Sequence, residues 1–203
     1  MNKTLGKSKK LAYIFYEGDT EELFYKRIFF KYLRGVPNKT KNLETGTNIN
    51  KRIASELCYF LNKKENKGLD IYVYAFTDRE GMKSDISEFD GEAIKKALNK
   101  KQVKKIENIE AIIMIESWFF YDLEGICDYI GLSYTDSLQR TYSNPERLTH
   151  KELQGLFRKG TRRQHYIKGE KGFLEKLDID KIQRKCTALK EGIHMINEDF
   201  GLD

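Results

Sequence analysis

Three apolar runs in the sequence each end in acidic residues. The runs cover residues 11–16, 69–76 and 109–115, and they are followed by five acids: Glu17, Glu21, Asp78, Glu80 and Glu116. Because the carboxyl ends of neighbouring parallel strands meet at one edge of a sheet, these side chains are expected to converge there. Oxygen-rich clusters suit Mg²⁺ or Mn²⁺ rather than Zn²⁺, and without a cation their like charges repel. The spacing therefore predicts a divalent metal site formed by these five acids.

Each acid also has a structural explanation that needs no ligand. Glu21 is placed to stabilise the positive end of a helix, and Asp78 is a residue type that often begins a turn. Glu116 is compatible with a first-turn acid beside a packing tryptophan, Trp118. The coincidence of acids at three strand ends favours the metal site over three separate structural roles.

The order of the predicted elements is typical of an α/β sheet. Strands are predicted at 11–16, 41–45, 69–76 and 109–115, alternating with helices at 20–33, 49–61, 92–101 and 116–129. Residues 82–90 are predicted to form a loop. Such alternation predicts βαβ units in a mostly parallel central sheet flanked by helices. We assign residues 1–131 to this α/β core.

The last third of the chain lacks a strong strand pattern. Residues 135–145 are polar and residues 160–172 are basic, whereas helices are predicted at 149–157 and along an amphipathic stripe at 179–193. We therefore predict that residues 132–203 form a mainly helical C-terminal extension, packed on the core as one compact unit.

Basic side chains favour an anionic partner. The chain has 37 Lys and Arg residues against 31 Asp and Glu residues, giving a formal net charge of +6. The candidate nucleic-acid-binding residues lie in the basic segment: Arg162, Arg163, His165, Tyr166 and Lys168. Tyr166 either stacks on a base or packs inward. The alternative for the whole segment is a solvated surface loop.

Several classes of protein are disfavoured by the sequence. The three cysteines are far apart and form no C-x-x-C pair, so buried thiols are expected rather than a zinc site or disulfides. No apolar run is long enough to cross a bilayer, and the basic first ten residues lack the apolar core of a secretory signal. No P-loop motif is present. A cytoplasmic protein without a membrane partner is expected.

Four motifs resemble the Toprim superfamily. Residues 14–25, with E-G-D-T-E at 17–21, resemble its first motif, in the form seen in small stand-alone Toprim-like proteins and the nuclease domain of OLD-family proteins. The D-R-E at 78–80 is similar to the second motif, usually D-x-D. Residues 115–122 resemble an Ile-Glu-x-Trp stretch that ends in Asp, and the Y-I-K at 166–168 fits the C-terminal part of the small proteins. The resemblance covers about residues 11–186.

The resemblance implies a Toprim-like (Rossmann-like) fold and a metal-dependent nuclease that cleaves phosphodiesters of DNA or RNA. It implies that Glu17 lies nearest the reacting phosphate, as a metal ligand or general base, and that Asp78 holds Mg²⁺ or Mn²⁺. Glu17 and Asp78 are thus the expected catalytic residues. It also suggests a role in defence against phage or mobile DNA and a partner ATPase of the kind some Toprim nucleases use. A homodimer is a further possibility that the sequence does not decide.

Two other functions stay open. Glu80 stands where the second motif usually has Asp, which leaves room for a non-catalytic nucleic-acid-binding or regulatory module on the same fold. A phosphotransferase or phosphatase acting on a small molecule is the third candidate. The fold alone does not select among these functions.

Overall fold

The sheet is four-stranded and parallel. A computed structural model of the protein describes residues 9–44, 48–79, 88–162 and 165–202. Its strands are β1 (Lys9–Tyr16), β2 (Asn38–Asn42), β3 (Leu69–Asp78) and β4 (Val103–Ala111), in the order β2-β1-β3-β4. Every pairing is parallel, and Tyr16 of β1 stands opposite Phe76 of β3. The predicted α/β class with a parallel central sheet and a helical C-terminal part is confirmed.

The central strand β1 is buried on both faces. Ala12, Ile14 and Tyr16 join one apolar core, while Tyr13 and Phe15 join the other. This explains why β1 reads as a continuous apolar run rather than an alternating one. The same holds for β3, so both inner strands were recognisable from sequence.

Helices cover both faces of the sheet. Their bounds are α1 (Asp19–Tyr32), α2 (Ile49–Asn62), α3 (Gly91–Leu98), α4 (Ile115–Phe119), α5 (Leu123–Ile130), α6 (Asp136–Thr141), α7 (His150–Lys159), α8 (Lys171–Lys176), α9 (Ile179–Lys185) and α10 (Thr187–Phe200). Short 3-10 turns lie at Lys64–Asn66, Phe120–Asp122 and Pro145–Arg147. Helices α2 and α3 pack on one face, whereas α1 and the later helices share the core of the other.

The fourth strand was predicted in the wrong place. It was expected at 109–115, but β4 is Val103–Ala111 and Ile115 already begins α4. As an edge strand it pairs only with β3, and residues such as Lys104 and Lys105 keep contact with water. Its mixed sequence therefore lacks the apolar signal of an inner strand. The apolar residues 112–115 form the connection to α4 and the first residue of that helix.

Smaller differences concern other elements. The weak strand predicted at 41–45 is β2, Asn38–Asn42. Helix α6 forms within the segment 135–145 without burying any residue, so it left no apolar stripe to detect. The single stripe at 179–193 is divided between α9 and α10 at Cys186. Of the predicted loop at 82–90, residues 82–87 lie outside the described part of the chain.

The C-terminal helices share the core of the sheet. Helix α10 approaches β4 so closely that a Cβ at Gly192 would lie 2.7 Å from Ile109. The hydroxyl of Tyr74 on β3 donates to Asp199 of α10 over 2.7 Å. Residues after 131 thus pack on the core, while the division of the chain at 131/132 stays a prediction.

The structure bears on two further predictions, one about burial of the three cysteines and one about membrane-spanning segments. Cys127 and Cys186 are buried, but Cys58 is exposed on α2, so the prediction of buried thiols is wrong for Cys58. No described helix has the length and apolarity required to span a membrane.

Candidate functional site

The candidate site lies at the carboxyl ends of β1 and β3, where the order in which strands are added to the sheet reverses. After β1 the chain crosses to β2 on one side, whereas β3 and β4 lie on the other side of β1. Ligands of open α/β sheets bind at such a switch point, outside the carboxyl ends of the two strands concerned. Glu17 directly follows β1, and Asp78 is the last residue of β3.

The turn between β1 and α1 folds Glu21 back towards the strand end. Gly18 precedes α1 in extended conformation, and its carbonyl accepts a hydrogen bond from the backbone N–H of Glu22 at 3.0 Å. A Cβ at Gly18 would lie 2.9 Å from Oε2 of Glu21. A side chain at this position would therefore displace the Glu21 carboxylate, which lies at the end of a flexible side chain.

Asp78 joins the end of β3 to the start of α4. Its Oδ1 accepts a hydrogen bond from the backbone N–H of Ile115 over 2.9 Å. This contact places the next residue, Glu116, in the first turn of α4 beside the carboxyl end of the sheet. The sequence predicts Glu116 at the end of a strand. In the structure this residue instead lies in the first turn of a helix, α4.

Glu116 is almost completely buried, at 1% exposure. Its Oε1 accepts a hydrogen bond from the hydroxyl of Tyr166 at 2.9 Å and lies 3.7 Å from Nζ of Lys168. Its Oε2 has no hydrogen-bond partner among the described residues. Leaving a buried carboxylate oxygen unpaired is costly, so this atom is a candidate ligand position.

The acids influence one another electrostatically. Burial raises the pKa of Asp78 well above its usual value, and the charges of Glu21, Glu116 and Glu17 raise it further. Burial also raises the pKa of Glu21, with a further contribution from Glu116. The buried Tyr25 feels the charges of Asp78, Glu21 and Glu17, which add to the effect of its burial in raising its pKa. Acids from the β1–α1 turn, β3 and α4 therefore act on one region of the protein.

The ligand atoms available at the site are of the type that a hard divalent cation binds. Carboxylate oxygens, which Mg²⁺ and Mn²⁺ prefer, are offered by four acids: Glu17, Glu21, Asp78 and Glu116. Oε2 of Glu116 has no hydrogen-bond partner among the described residues. Within residues 9–44, 48–79, 88–162 and 165–202, however, no three acidic, His or Cys side chains stand close enough together to form a ready-made metal site. Glu80 lies outside these ranges. A cation would have to draw the carboxylates together.

The predicted nucleic-acid-binding residues differ in their surroundings. Arg162 and His165 are exposed, and Nη1 of Arg162 donates to the backbone carbonyl of Tyr129 over 2.9 Å. The side chain of Lys168 is 67% exposed while approaching Glu116. Arg163 lies outside the described residues.

Tyr166 packs inward, the second of the two roles considered for it. It is 7% exposed, and its ring makes edge contacts with Phe157 and Phe173. A ring buried in this way does not offer a face to a nucleic-acid base, so the stacking role is corrected. The hydroxyl instead holds Glu116 from a position 50 residues along the chain. Sequence reasoning missed this contact, although Tyr166 had been noted in the Y-I-K motif.

Asp122 is a further residue whose role only the structure reveals. Asp122 is 2% exposed. Its Oδ2 accepts a hydrogen bond from the backbone N–H of Asp178 at 2.8 Å, and its Oδ1 lies 3.2 Å from Nζ of Lys181. Its Oδ1 also caps α5 through the backbone N–H of Gly125. Asp122, the last residue of the Ile-Glu-x-Trp stretch at 115–122, therefore connects α5 to α9 and does not belong to the candidate site.

Comparison with known proteins gives a family without an assigned function. A family model described as a domain of unknown function, DUF4276, matches residues 16–194. The chain belongs to the DUF4276 family. The matched range includes Glu17, Glu21, Asp78 and Glu116. No curated protein matches the chain.

One solved structure is similar over most of its length. It is the C-terminal region of the Xanthomonas campestris pv. campestris OLD protein, with a TM-score of 0.43 and 16% sequence identity. The match covers 94% of this chain and 96% of the other. A TM-score this low does not by itself establish a common fold. The fold and candidate site of the DUF4276 chain are therefore described from its own structure.

Proposed function

We propose that the protein is a divalent-metal-dependent nuclease of the Toprim type, which hydrolyses phosphodiester bonds of DNA or RNA. The observation that supports it most is that carboxylates from the β1–α1 turn and α4 act electrostatically on the buried Asp78 at the carboxyl ends of β1 and β3, where α/β sheets bind ligands. The E-G-D-T-E turn and Asp78 at the end of β3, which resemble the Toprim motifs, supply carboxylates to this region.

The residues divide into ligands and a reacting group. Asp78, Glu21 and Glu116 would hold Mg²⁺ or Mn²⁺, with Glu80 as a further candidate from sequence. Glu17, at the end of the central strand, would bind the cation or accept a proton from the attacking water. When bound, the metal supplies Lewis acidity and lowers the pKa of water. Tyr166 and the backbone N–H of Ile115 hold Glu116 and Asp78 in position.

Basic residues of the segment that carries Lys168 would bind the phosphate backbone. Lys168 approaches Glu116, and Arg162 and His165 are exposed in the same segment. Positive side chains of this kind bind nucleic acid without reading its sequence, and their contribution falls as salt rises. Arg163 is proposed as a further contact from its position in the sequence.

A non-catalytic nucleic-acid-binding module is the second candidate. It is favoured by Lys168, which already supplies a positive charge to Glu116, and by the lack of a ready-made metal site among the described residues. In this case the acids would only need their lysine counterion. Binding with a steep salt dependence and no turnover would support this function.

The biological setting is proposed from the Toprim resemblance alone. It comprises defence against phage or mobile DNA and a partner ATPase. A cytoplasmic location and a homodimer are proposed beside it, without support from the resemblance. Co-purification and mass measurement of the native assembly would test the partner ATPase and the homodimer.

A cleavage assay tests the proposed activity. Plasmid DNA, single-stranded DNA and RNA are incubated with the protein in Mg²⁺, Mn²⁺ or EDTA. We expect cleavage of at least one substrate with metal and none in EDTA, and a loss of about 10²–10³-fold in Glu17→Gln, because several kcal/mol of transition-state stabilisation is removed.

Glu22→Gln is the matched control for this assay. Glu22 lies in the same first turn of α1, but its carboxylate already pairs with Lys26 and accepts a hydrogen bond from Asn42 at 3.2 Å, so activity should be retained. Circular dichroism should show both variants folded. Failure of the wild type to cleave any substrate, or full activity in Glu17→Gln, would contradict the proposed function.

A further inference from the structure

The turn that carries Lys168 is anchored on both sides. Tyr166 before it is buried, and its hydroxyl donates to Glu116. Glu170 after it accepts a hydrogen bond from the hydroxyl of Tyr129 at 2.7 Å. The backbone N–H of Glu170 donates to the carbonyl of Ile167 at 3.2 Å, with Gly169 at φ +73°. The backbone around Lys168 is therefore fixed, and its flexible side chain stands at the tip of a tight turn.

The ammonium of Lys168 lies beside the buried carboxylate of Glu116, with Nζ 3.7 Å from Oε1. Its charge also lowers the pKa of Glu21, in opposition to the effects of burial and of Glu116. The distance is longer than a direct hydrogen bond, and the side chain is 67% exposed. The pairing is loose enough to break without unfolding the turn.

Glu116 supplies an independent indication that a second cation belongs here. Its carboxylate is buried, Oε1 is shared by Tyr166 and Lys168, and Oε2 has no partner among the described residues. A single exposed ammonium leaves this carboxylate only partly compensated. A divalent cation bound through Oε2 would bring two positive charges close to Nζ of Lys168, and their repulsion would expel the ammonium.

We propose that Lys168 is a built-in counterion that competes with the divalent cation for the carboxylate of Glu116. This inference rests on the proposed function. Without metal the ammonium partly neutralises Glu116; when metal binds, the ammonium leaves this carboxylate and becomes available to a phosphate at the edge of the site. Lysine suits this exchange because its charge sits on a long, flexible stem with three rotatable donors.

Calorimetric titration with MnCl₂ tests the competition. We expect Lys168→Met to bind Mn²⁺ about threefold to tenfold more tightly than the wild type, the size of effect that loss of one partly exposed charge pair produces. Lys171→Met is the matched control, because it removes the same positive charge three residues further along the chain. Lys171 pairs with Glu175 instead of Glu116. The Mn²⁺ affinity of Lys171→Met should equal that of the wild type.

The outcomes separate this inference from the proposed function. Equal or weaker Mn²⁺ binding by Lys168→Met, beside clear binding by the wild type, would overturn the competition and leave the metal site standing. An equal gain in Lys171→Met would reduce the effect to general charge and also overturn it. Absence of Mn²⁺ binding in all three proteins would reject the metal site and the competition together.

Discussion

Asp78→Asn is expected to eliminate metal-dependent cleavage while making the metal-free protein more stable. The carboxylate ends the strand beside the switch point and is proposed as a metal ligand. Its replacement should lower the cleavage rate about 10²–10³-fold or more. The variant should stay folded, because the amide oxygen of Asn can still accept the hydrogen bond that Asp78 accepts from the backbone N–H of Ile115.

The gain in stability follows from the surroundings of Asp78. Burial, followed by the charges of Glu21, Glu116 and Glu17, raises its pKa above the usual 3.8. A carboxyl whose pKa is higher in the folded state stabilises the protein below its unfolded pKa and loses that contribution as pH rises through the folded value. Glu21, whose pKa burial also raises, has the same sign. The metal-free protein should therefore become less stable as pH rises.

Urea unfolding in EDTA at about pH 5 and about pH 8 measures this effect. The wild type should lose stability between the two pH values, and Asp78→Asn should lose less. Asp70→Asn is the matched control on the same strand, where Asp70 pairs with Lys104 instead. An Asp78→Asn protein that cleaves normally, or that is less stable than the wild type at the higher pH, would contradict the assignment.

Asp122→Ala is expected to destabilise the protein by about 2–4 kcal/mol, the range for removing one partner of a buried, hydrogen-bonded ion pair. The carboxylate accepts the backbone N–H groups of Gly125 and Asp178 and lies beside Lys181. Its loss leaves these donors without their acceptor and an ammonium without its main buried partner. Because the contacts join α5 to α9, the attachment of the C-terminal helices should weaken first.

Chemical denaturation measures the change, and hydrogen exchange locates it. Asp128→Ala, an exposed aspartate on the same helix α5, is the control and should change stability by less than about 0.5 kcal/mol. In Asp122→Ala, amides of α9 should exchange faster than those of β1. A loss below about 1 kcal/mol, or uniform exchange across the molecule, would show that Asp122 does not pin the extension.

The inner part of the sheet was predictable because its strands are buried on both faces. Residues 11–16 of β1 and 71–76 of β3 are uninterrupted apolar and aromatic runs. Glu17 directly follows β1 and Asp78 is the last residue of β3, so both acids lie at strand ends as predicted. The helices that follow carry apolar stripes. Burial of this kind leaves a direct record in the sequence.

The edge of the sheet and the long-range contacts were not predictable in this way. β4 has one neighbour and a mixed sequence, so the apolar residues before Glu116 were taken for the strand. The hydrogen bond from Tyr166 to Glu116 and the approach of Lys168 depend on how a distant turn packs against α4. Neither periodicity nor local spacing reports such contacts.

The central claim is that carboxylates from the β1–α1 turn, β3 and α4 share a divalent cation. Anomalous diffraction from crystals soaked in Mn²⁺ tests it most directly. We predict a strong peak about 2.0–2.6 Å from carboxylate oxygens of Asp78 and Glu116, with Glu17 or Glu21 completing the site and Lys168 turned away. No peak between these side chains under saturating Mn²⁺, with Lys168 still beside Glu116, would contradict the account.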